Sequence, residues 1–176
     1  MSRYIGPKNK KLRSFEPKRR TSEYGRQLLE KQKIKFRYGV RERQFKKLYQ
    51  AALKEKGVET GTVLLQMLEM RLDNVVYRLG LAKTRPQARH FVAQKKVLVD
   101  GAVVDVASYT VLPGQTVTLI PEAFSSLFVQ DILKDAVAIP PWLEVGGSVG
   151  RLIRKPDRDE IDKDIDEALV VSFYSR

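Results

Sequence analysis

The sequence predicts an α+β protein in two parts. A mostly helical N-terminal domain is followed by a second domain in which two helices pack on a small, mainly antiparallel sheet. Three observations lead there. Apolar residues recur at helical spacing through the first half of the chain. A hairpin signal, a tight turn and an alternating strand follow between residues 97 and 120. Charge is segregated: residues 1–50 hold 17 Lys or Arg against 4 acids, while the other 126 residues hold 16 against 17. The whole excess of the +12 chain therefore lies in its first third, which points to a polyanionic partner.

Residues 1–21 form a basic extended arm by composition. Arg3, Lys8, Lys10, Lys11, Arg13, Lys18, Arg19 and Arg20 stand with Gly6, Pro7 and Pro17 and one acid, Glu16. No helical or strand period survives there, so the arm is expected to be disordered alone and to order on RNA. Tyr4 and Phe15 among the cations suit base stacking.

Residues 22–55 read as two helices broken at Tyr38-Gly39. Ser22 caps the first, and Glu23 favours its opening turn. Phe45, Leu48, Tyr49 and Ala52 keep helical spacing and bury one side of the second, while Arg41, Arg43, Lys46 and Lys47 cover the others. Few acids stand at i±4 to pair with these cations, which favours RNA over a merely solvated face. Gly57 ends that helix, and Thr60 to Leu68 gives a short apolar one with Leu64, Leu65, Met67 and Leu68 as core. A boundary near Glu69-Met70 closes a helical domain over residues 22–70, to which residues 164–176 return. Val170, Val171 and Phe173 should supply the closing segment.

Residues 71–163 form the α+β domain. Leu72, Val75, Val76 and Leu79 recur at i, i+3, i+4 and i+7, with Gly80 as stop. Thr84 offers the next N-cap, Pro86 sits in the first turn, and Gln87 completes a T-x-x-Q capping box. This second helix buries Ala88, Phe91 and Val92 and carries Arg85 and Arg89, with Lys95 and Lys96 just past it. Its N-terminal amides and dipole suit a phosphate backbone. Val97–Val99, Asp100-Gly101 and Ala102–Val104 predict a hairpin on a type I′ turn. Pro113-Gly114 presets a type II turn into a strand over Thr116–Ile120. A helix is expected over Phe124–Ala136, with Leu127, Phe128, Ile132 and Leu133 inward. After Pro140-Pro141, an extended Trp142–Val145 turns at Gly146-Gly147 and returns as Val149–Ile153. Residues 157–167 carry seven acids interrupted by Arg158 and Lys163. They lack the glycine and closing Glu of a calcium loop, so a protein-facing surface is expected, not a metal site.

Composition excludes several classes. There is no cysteine for a disulfide or a Cys-based metal site. No apolar run approaches membrane-spanning length, and MSRYIGPKNKK has no apolar core of a secretory signal. A cytoplasmic protein is the simplest expectation. His90, the single histidine, has no nucleophile motif beside it. There is no GxxxxGK[ST] or GxGxxG loop. No enzyme activity, cofactor or metal is expected.

The stretch Arg71–Ile120 resembles the RNA-binding fold named after ribosomal protein S4, and the rest of the chain resembles that ribosomal family too. The matching pieces are Ser22-Glu23-Tyr24-Gly25, Glu30-Lys31-Gln32-Lys33, Tyr38-Gly39-Val40, Glu42-Arg43-Gln44-Phe45, Pro140-Pro141-Trp142-Leu143 and Phe173-Tyr174-Ser175-Arg176, in the family's order. Many members carry a cysteine zinc knuckle near the N-terminus; this chain has none, so no zinc is expected. The resemblance implies a structural protein of the small ribosomal subunit that binds its rRNA first and nucleates assembly. It also implies a contribution to decoding accuracy, mRNA at the entry channel as a further partner, and small-subunit protein S5 as a neighbour near the C-terminal region. Neither a membrane nor a homo-oligomer belongs to that working state, and the location implied is a cytoplasmic or organelle small subunit. An rRNA-modifying enzyme with the same fold, such as a pseudouridine synthase, would need a catalytic domain for which too few residues follow. A binder of stalled large subunits would lack the basic helical region and the Phe-Tyr-Ser-Arg terminus.

The residues expected on rRNA are Arg3, Lys8, Lys18, Arg19, Arg20, Tyr24, Arg26, Lys33, Arg37, Arg41, Arg43, Lys46 and Lys47. In the central unit they are Thr84, Arg85, Gln87, Arg89 and Lys96.

Overall fold

A computed structural model describes residues 22–124, 129–130 and 138–175. The arm and most of the helix expected over Phe124–Ala136, including Leu127, Phe128, Ile132 and Leu133, lie outside the described residues. The chain divides into two compact units, one reaching to Leu65 and resuming at Asp162, the other spanning Gln66–Ile161.

In the first unit, α1 (Glu23–Tyr38) starts where Ser22 Oγ accepts from the Gly25 N–H at 3.2 Å. It stops at Gly39, whose φ of +62° suits a residue without Cβ. α2 is Glu42–Ala52, and α3 is Thr60–Glu69, cut by the division between the units. Ile34, Tyr38, Phe45, Tyr49, Ala52 and Val170 form its buried side.

In the second unit, α4 (Leu72–Arg78) and α5 (Arg85–Ala93) pack on a five-stranded sheet. Its strands are β1 (Val97–Val99), β2 (Ala102–Val103), β3 (Thr116–Leu119), β4 (Leu143–Gly146) and β5 (Val149–Leu152). The order is β2-β1-β3-β5-β4, and every neighbouring pair is antiparallel. The α+β class and the two-helix-on-sheet arrangement are as the sequence predicts. A short helix, α6 (Pro121–Phe124), follows β3. Register places Val97, Val99, Val117, Leu119, Leu143 and Leu152 on one face, all buried in one core with Leu72, Val75, Val76, Leu79, Ala88, Phe91 and Val92. The hairpin turn holds Asp100 at φ +50° and Gly101 at +81°, as type I′ requires.

Several details depart from expectation. Leu48 is half-buried on α2, and β3 ends at Leu119, one residue short of Ile120. Met67 is half-buried, not core. β2 ends at Val103, one residue early. Trp142 precedes β4 in a turn and is buried there, its carbonyl accepting from the Ile153 N–H at 3.0 Å. Ile153 itself lies beyond β5.

Gly150 in β5 faces this core. A Cβ there would lie 2.4 Å from both Leu79 methyl carbons and 2.9 Å from its Cγ, and Leu79 is itself packed. Gly150→Ala is therefore expected to destabilise the chain by about 1–3 kcal/mol in urea unfolding. An unchanged midpoint would mean that Leu79 repacks without cost.

Candidate nucleic-acid interface

The plainest basic surface is the outer side of α2. With Phe45, Tyr49 and Ala52 turned inward, the helical period sends Arg43, Lys46 and Lys47 outward, and Arg41 precedes them at the cap. All four are exposed, and none forms an ion pair with a described residue. Four cations on little more than one turn and a half, with no acid of their own, suit a run of phosphates.

α1 behaves differently, because most of its cations are already held. Lys31 is buried; its Nζ donates to Glu42 at 2.9 Å and lies 4.1 Å from the Phe173 ring centroid. Lys35 donates to the other Glu42 oxygen at 2.5 Å, and the Tyr174 hydroxyl donates to the first at 2.9 Å. Burial alone would raise the Glu42 carboxyl, but Lys35, Lys31 and Tyr174 outweigh it and hold it at about 2. Burial, then the hydrogen bond to Glu42, pushes the Tyr174 phenol up. These contacts dock the C-terminal helix α7 (Glu167–Tyr174), whose Tyr174 also stacks on Tyr49 with centroids 4.6 Å apart.

Of the residues expected on RNA, Lys33 and Arg37 instead meet the acidic segment. Arg37 makes a forked contact with Asp164, at 2.7 and 2.5 Å, and a third bond to Asp162 at 3.1 Å. Lys33 Nζ bonds the Asp164 carbonyl, and it pairs with Glu30 at 3.2 Å and the Asp164 carboxylate at 3.5 Å. The Arg37 guanidinium holds the Asp164 carboxyl down at about 2. Sequence proximity showed no such partners, because Asp162 and Asp164 stand more than 120 residues away. Arg26 pairs with Glu23 one turn back, and exposed Tyr24 packs against Phe173 with centroids 5.6 Å apart.

In the second unit, the arginines of α5 are anchored to α4. Asp73, 2% exposed, accepts from Arg71 at 3.1 and 2.9 Å and from Arg89 Nε at 2.9 Å. Glu69, fully buried, accepts from Asn74 at 2.6 Å and from Arg78 at 3.0 and 2.6 Å. Asn74 in turn accepts from Arg85 Nε at 2.7 Å, and the Arg85 guanidinium lies 4.5 Å from the Tyr77 ring centroid. Arg85 and Arg89 are thus positioned by protein contacts before any RNA arrives. Thr84 caps α5 by accepting from the Gln87 N–H at 3.3 Å. The Gln87 carboxamide reaches one residue further back than a capping box requires and accepts from the Lys83 N–H at 2.8 Å. Lys96 is half-buried with Nζ 5.9 Å from the Phe91 centroid.

The structure therefore gathers Arg41, Arg43, Lys46 and Lys47 on one helix, and Thr84, Arg85, Gln87 and Arg89 on another. Arg3, Lys8, Lys18, Arg19 and Arg20 lie outside the described residues. Sequence reasoning passed over exposed Lys83, immediately before the Thr84 cap, and the structural roles of Lys31 and Glu42. Its position before a cap was the available signal for Lys83; nothing local marked the other two. Among the described residues there is no cluster of metal-ligating side chains, and no helix long and apolar enough to cross a membrane.

Comparison with known proteins gives two family matches. Residues 70–117 match the family described as "S4 domain", and residues 7–69 match "Ribosomal protein S4/S9 N-terminal domain". Curated relatives named "Small ribosomal subunit protein uS4" include one from Parabacteroides distasonis, 42% identical with all of both chains covered. One from Leuconostoc mesenteroides is 43% identical over 99% of this chain and 98% of its own. One from Aster yellows witches'-broom phytoplasma is 47% identical over 92% and 81%.

Two outcomes follow from this geometry. Glu42 and Asp164 titrate lower in the folded chain than their ordinary values of 4.5 and 3.8, so their stabilisation is complete above about pH 4.5 and lost as pH falls toward 2. Both carboxylates are half-exposed, so each contributes roughly 1 kcal/mol after screening. Unfolding measured from pH 5 to 2 should show a shallower decline in Glu42→Gln with Asp164→Asn than in the parent. Arg89→Ala leaves buried Asp73 with Arg71 alone and should cost roughly 2 kcal/mol. Lys47→Ala, at an exposed site, should stay within about 0.5 kcal/mol. Equal thermal midpoints for these two variants would contradict the anchoring role of Arg89.

Proposed function

The chain belongs to the ribosomal protein S4 family, and on that premise we propose that it is a structural rRNA-binding protein of the small ribosomal subunit, working in the cytoplasm or an organelle. The observation that supports this best is the outer side of α2, where Arg41, Arg43, Lys46 and Lys47 are exposed without acidic partners among the described residues. Each cation that replaces a counterion on the phosphate backbone adds affinity that weakens with salt. α5 contributes differently: its capped N-terminus offers backbone N–H groups and a positive dipole end, and Arg85 and Arg89 stand beside them on rigid supports. Preset side chains lose little freedom on binding, so they favour an RNA surface of matching shape over an arbitrary polyanion. The arm residues Arg3, Lys8, Lys18, Arg19 and Arg20 add charge that orders on the RNA.

In this reading the protein binds the 5′ domain of the small-subunit rRNA early, holds a helical junction in its folded form and so nucleates assembly. Contact with small-subunit protein S5, with mRNA at the entry channel, and an influence on decoding accuracy complete the proposal. Catalysis has no part in it; the relatives carry the name of a ribosomal protein, not of an enzyme.

A salt-titrated binding assay against a 5′-domain transcript, with an unrelated structured RNA as competitor, tests the reading. Tight binding that resists the competitor is expected. Equal affinity for both RNAs would reduce the protein to a general basic binder. Replacing Arg41, Arg43, Lys46 and Lys47 together by Ala should flatten the log–log salt slope by about 3 units. A slope equal to the parent's would remove this face from the contact.

A further inference from the structure

We propose that Asp162 and Asp164 are specificity determinants of RNA binding: they occupy Lys33 and Arg37 in place of phosphate and so withhold these cations from unselected RNA. The inference rests on the RNA-binding reading above and deepens it.

The geometry of the contact carries it. Arg37 presents its fork to both oxygens of Asp164, at 2.7 and 2.5 Å, which is the bidentate arrangement a phosphate would otherwise take. A third bond at 3.1 Å engages Asp162. Lys33 is held by the same residue, through its carbonyl and its carboxylate. The acids lie on the solvent side of the pair. The Asp164 side chain is 56% exposed and that of Asp162 30%, against 17% for Arg37 and 20% for Lys33. A phosphate reaching either cation has to displace a carboxylate first.

The segment is also fixed in place, not merely adjacent. The Asp166 N–H donates to Glu30 at 3.0 Å, Asp166 caps α7 by accepting from Leu169 N–H at 3.3 Å, and α7 is docked through Tyr174. The acids therefore stay at high local concentration beside α1, whereas an RNA has to compete from solution.

Nonspecific RNA affinity is nearly all phosphate neutralisation. Masking two cations on α1 lowers it for every RNA. The exposed cations of α2 are left to contact RNA whose shape the rest of the protein fits. A purely structural ion pair would stabilise the unit without changing the salt slope.

The test uses the full chain with Asp162→Asn and Asp164→Asn together, titrated with salt against the 5′-domain transcript and the unrelated RNA separately. Lys33 keeps Glu30 and the Asp164 carbonyl, so unmasking chiefly frees Arg37 and should steepen the slope on the unrelated RNA by about 1 unit. Affinity for that RNA should rise about tenfold near 0.1 M salt, and affinity for the 5′ domain less than about threefold, so discrimination falls. Asp164→Glu, which keeps the charge, should retain the parent slope. An unchanged slope on the unrelated RNA, an equal gain on both RNAs, or a steepened slope in Asp164→Glu would each overturn the proposal. If thermal unfolding shows the double variant unfolded, Asp162→Asn alone removes the Asp162 charge beside Arg37 while leaving the Asp164 fork, and should give about half the change; a parent slope in that folded variant overturns it too. Should the parent itself fail to prefer the 5′ domain, the functional reading fails, while the slope on the unrelated RNA still decides whether the acids mask these cations.

Discussion

Lys31 leaves water for the Glu42 carboxylate, which itself stays half-exposed, and the helical unit depends on that exchange. A lysine ammonium buried alone would deprotonate or unfold its surroundings. Here Glu42 accepts from Lys31, Lys35 and Tyr174 at once, and the Phe173 ring faces the same ammonium. α1, α2 and α7 are thereby joined through one carboxylate. A helix as basic as α1 then has an inner side that can be buried and an outer side whose charge is largely answered by acids from far along the chain.

The second unit solves the same problem with arginine. Asp73 and Glu69 are buried carboxylates, and each would be costly alone. Arg71, Arg78 and Arg89, with Asn74 as relay to Arg85, satisfy them through several hydrogen bonds each. Such a network adds little net stability over an apolar core, but it sets the direction of the guanidinium groups on α5. Stability and orientation are thus carried by different residues: the sheet and the apolar sides of α4 and α5 do the first, the carboxylates the second.

Much of this was legible locally. The 3.6-residue period of Leu72, Val75, Val76 and Leu79, the Asp-Gly turn and the Ser22 and Thr84 caps are short-range rules, and the structure follows them. Phe45, Tyr49 and Ala52 also took their sides as their spacing required. What stayed hidden is which cations have partners. Counting acids at i±4 describes one helix, whereas Arg37 finds its carboxylates more than 120 residues away. The same tertiary effect made Lys31 a core residue, although nothing beside it distinguishes it from Lys33. Met67 erred in the other direction, because three leucines around it filled the core positions of α3 and left it half-buried.

The position of α7 in the chain has a temporal consequence. Its residues, 167–174, belong to the same unit as α1 and α2, yet they follow the whole of Gln66–Ile161. During synthesis from the N-terminus, the unit whose first helix emerges early waits for almost the entire polypeptide before Tyr174 can reach Glu42. Throughout that interval Arg37 lacks Asp162 and Asp164, Lys33 keeps only Glu30, and both are open to any nucleic acid nearby. The nascent chain is therefore a stickier molecule than the finished one.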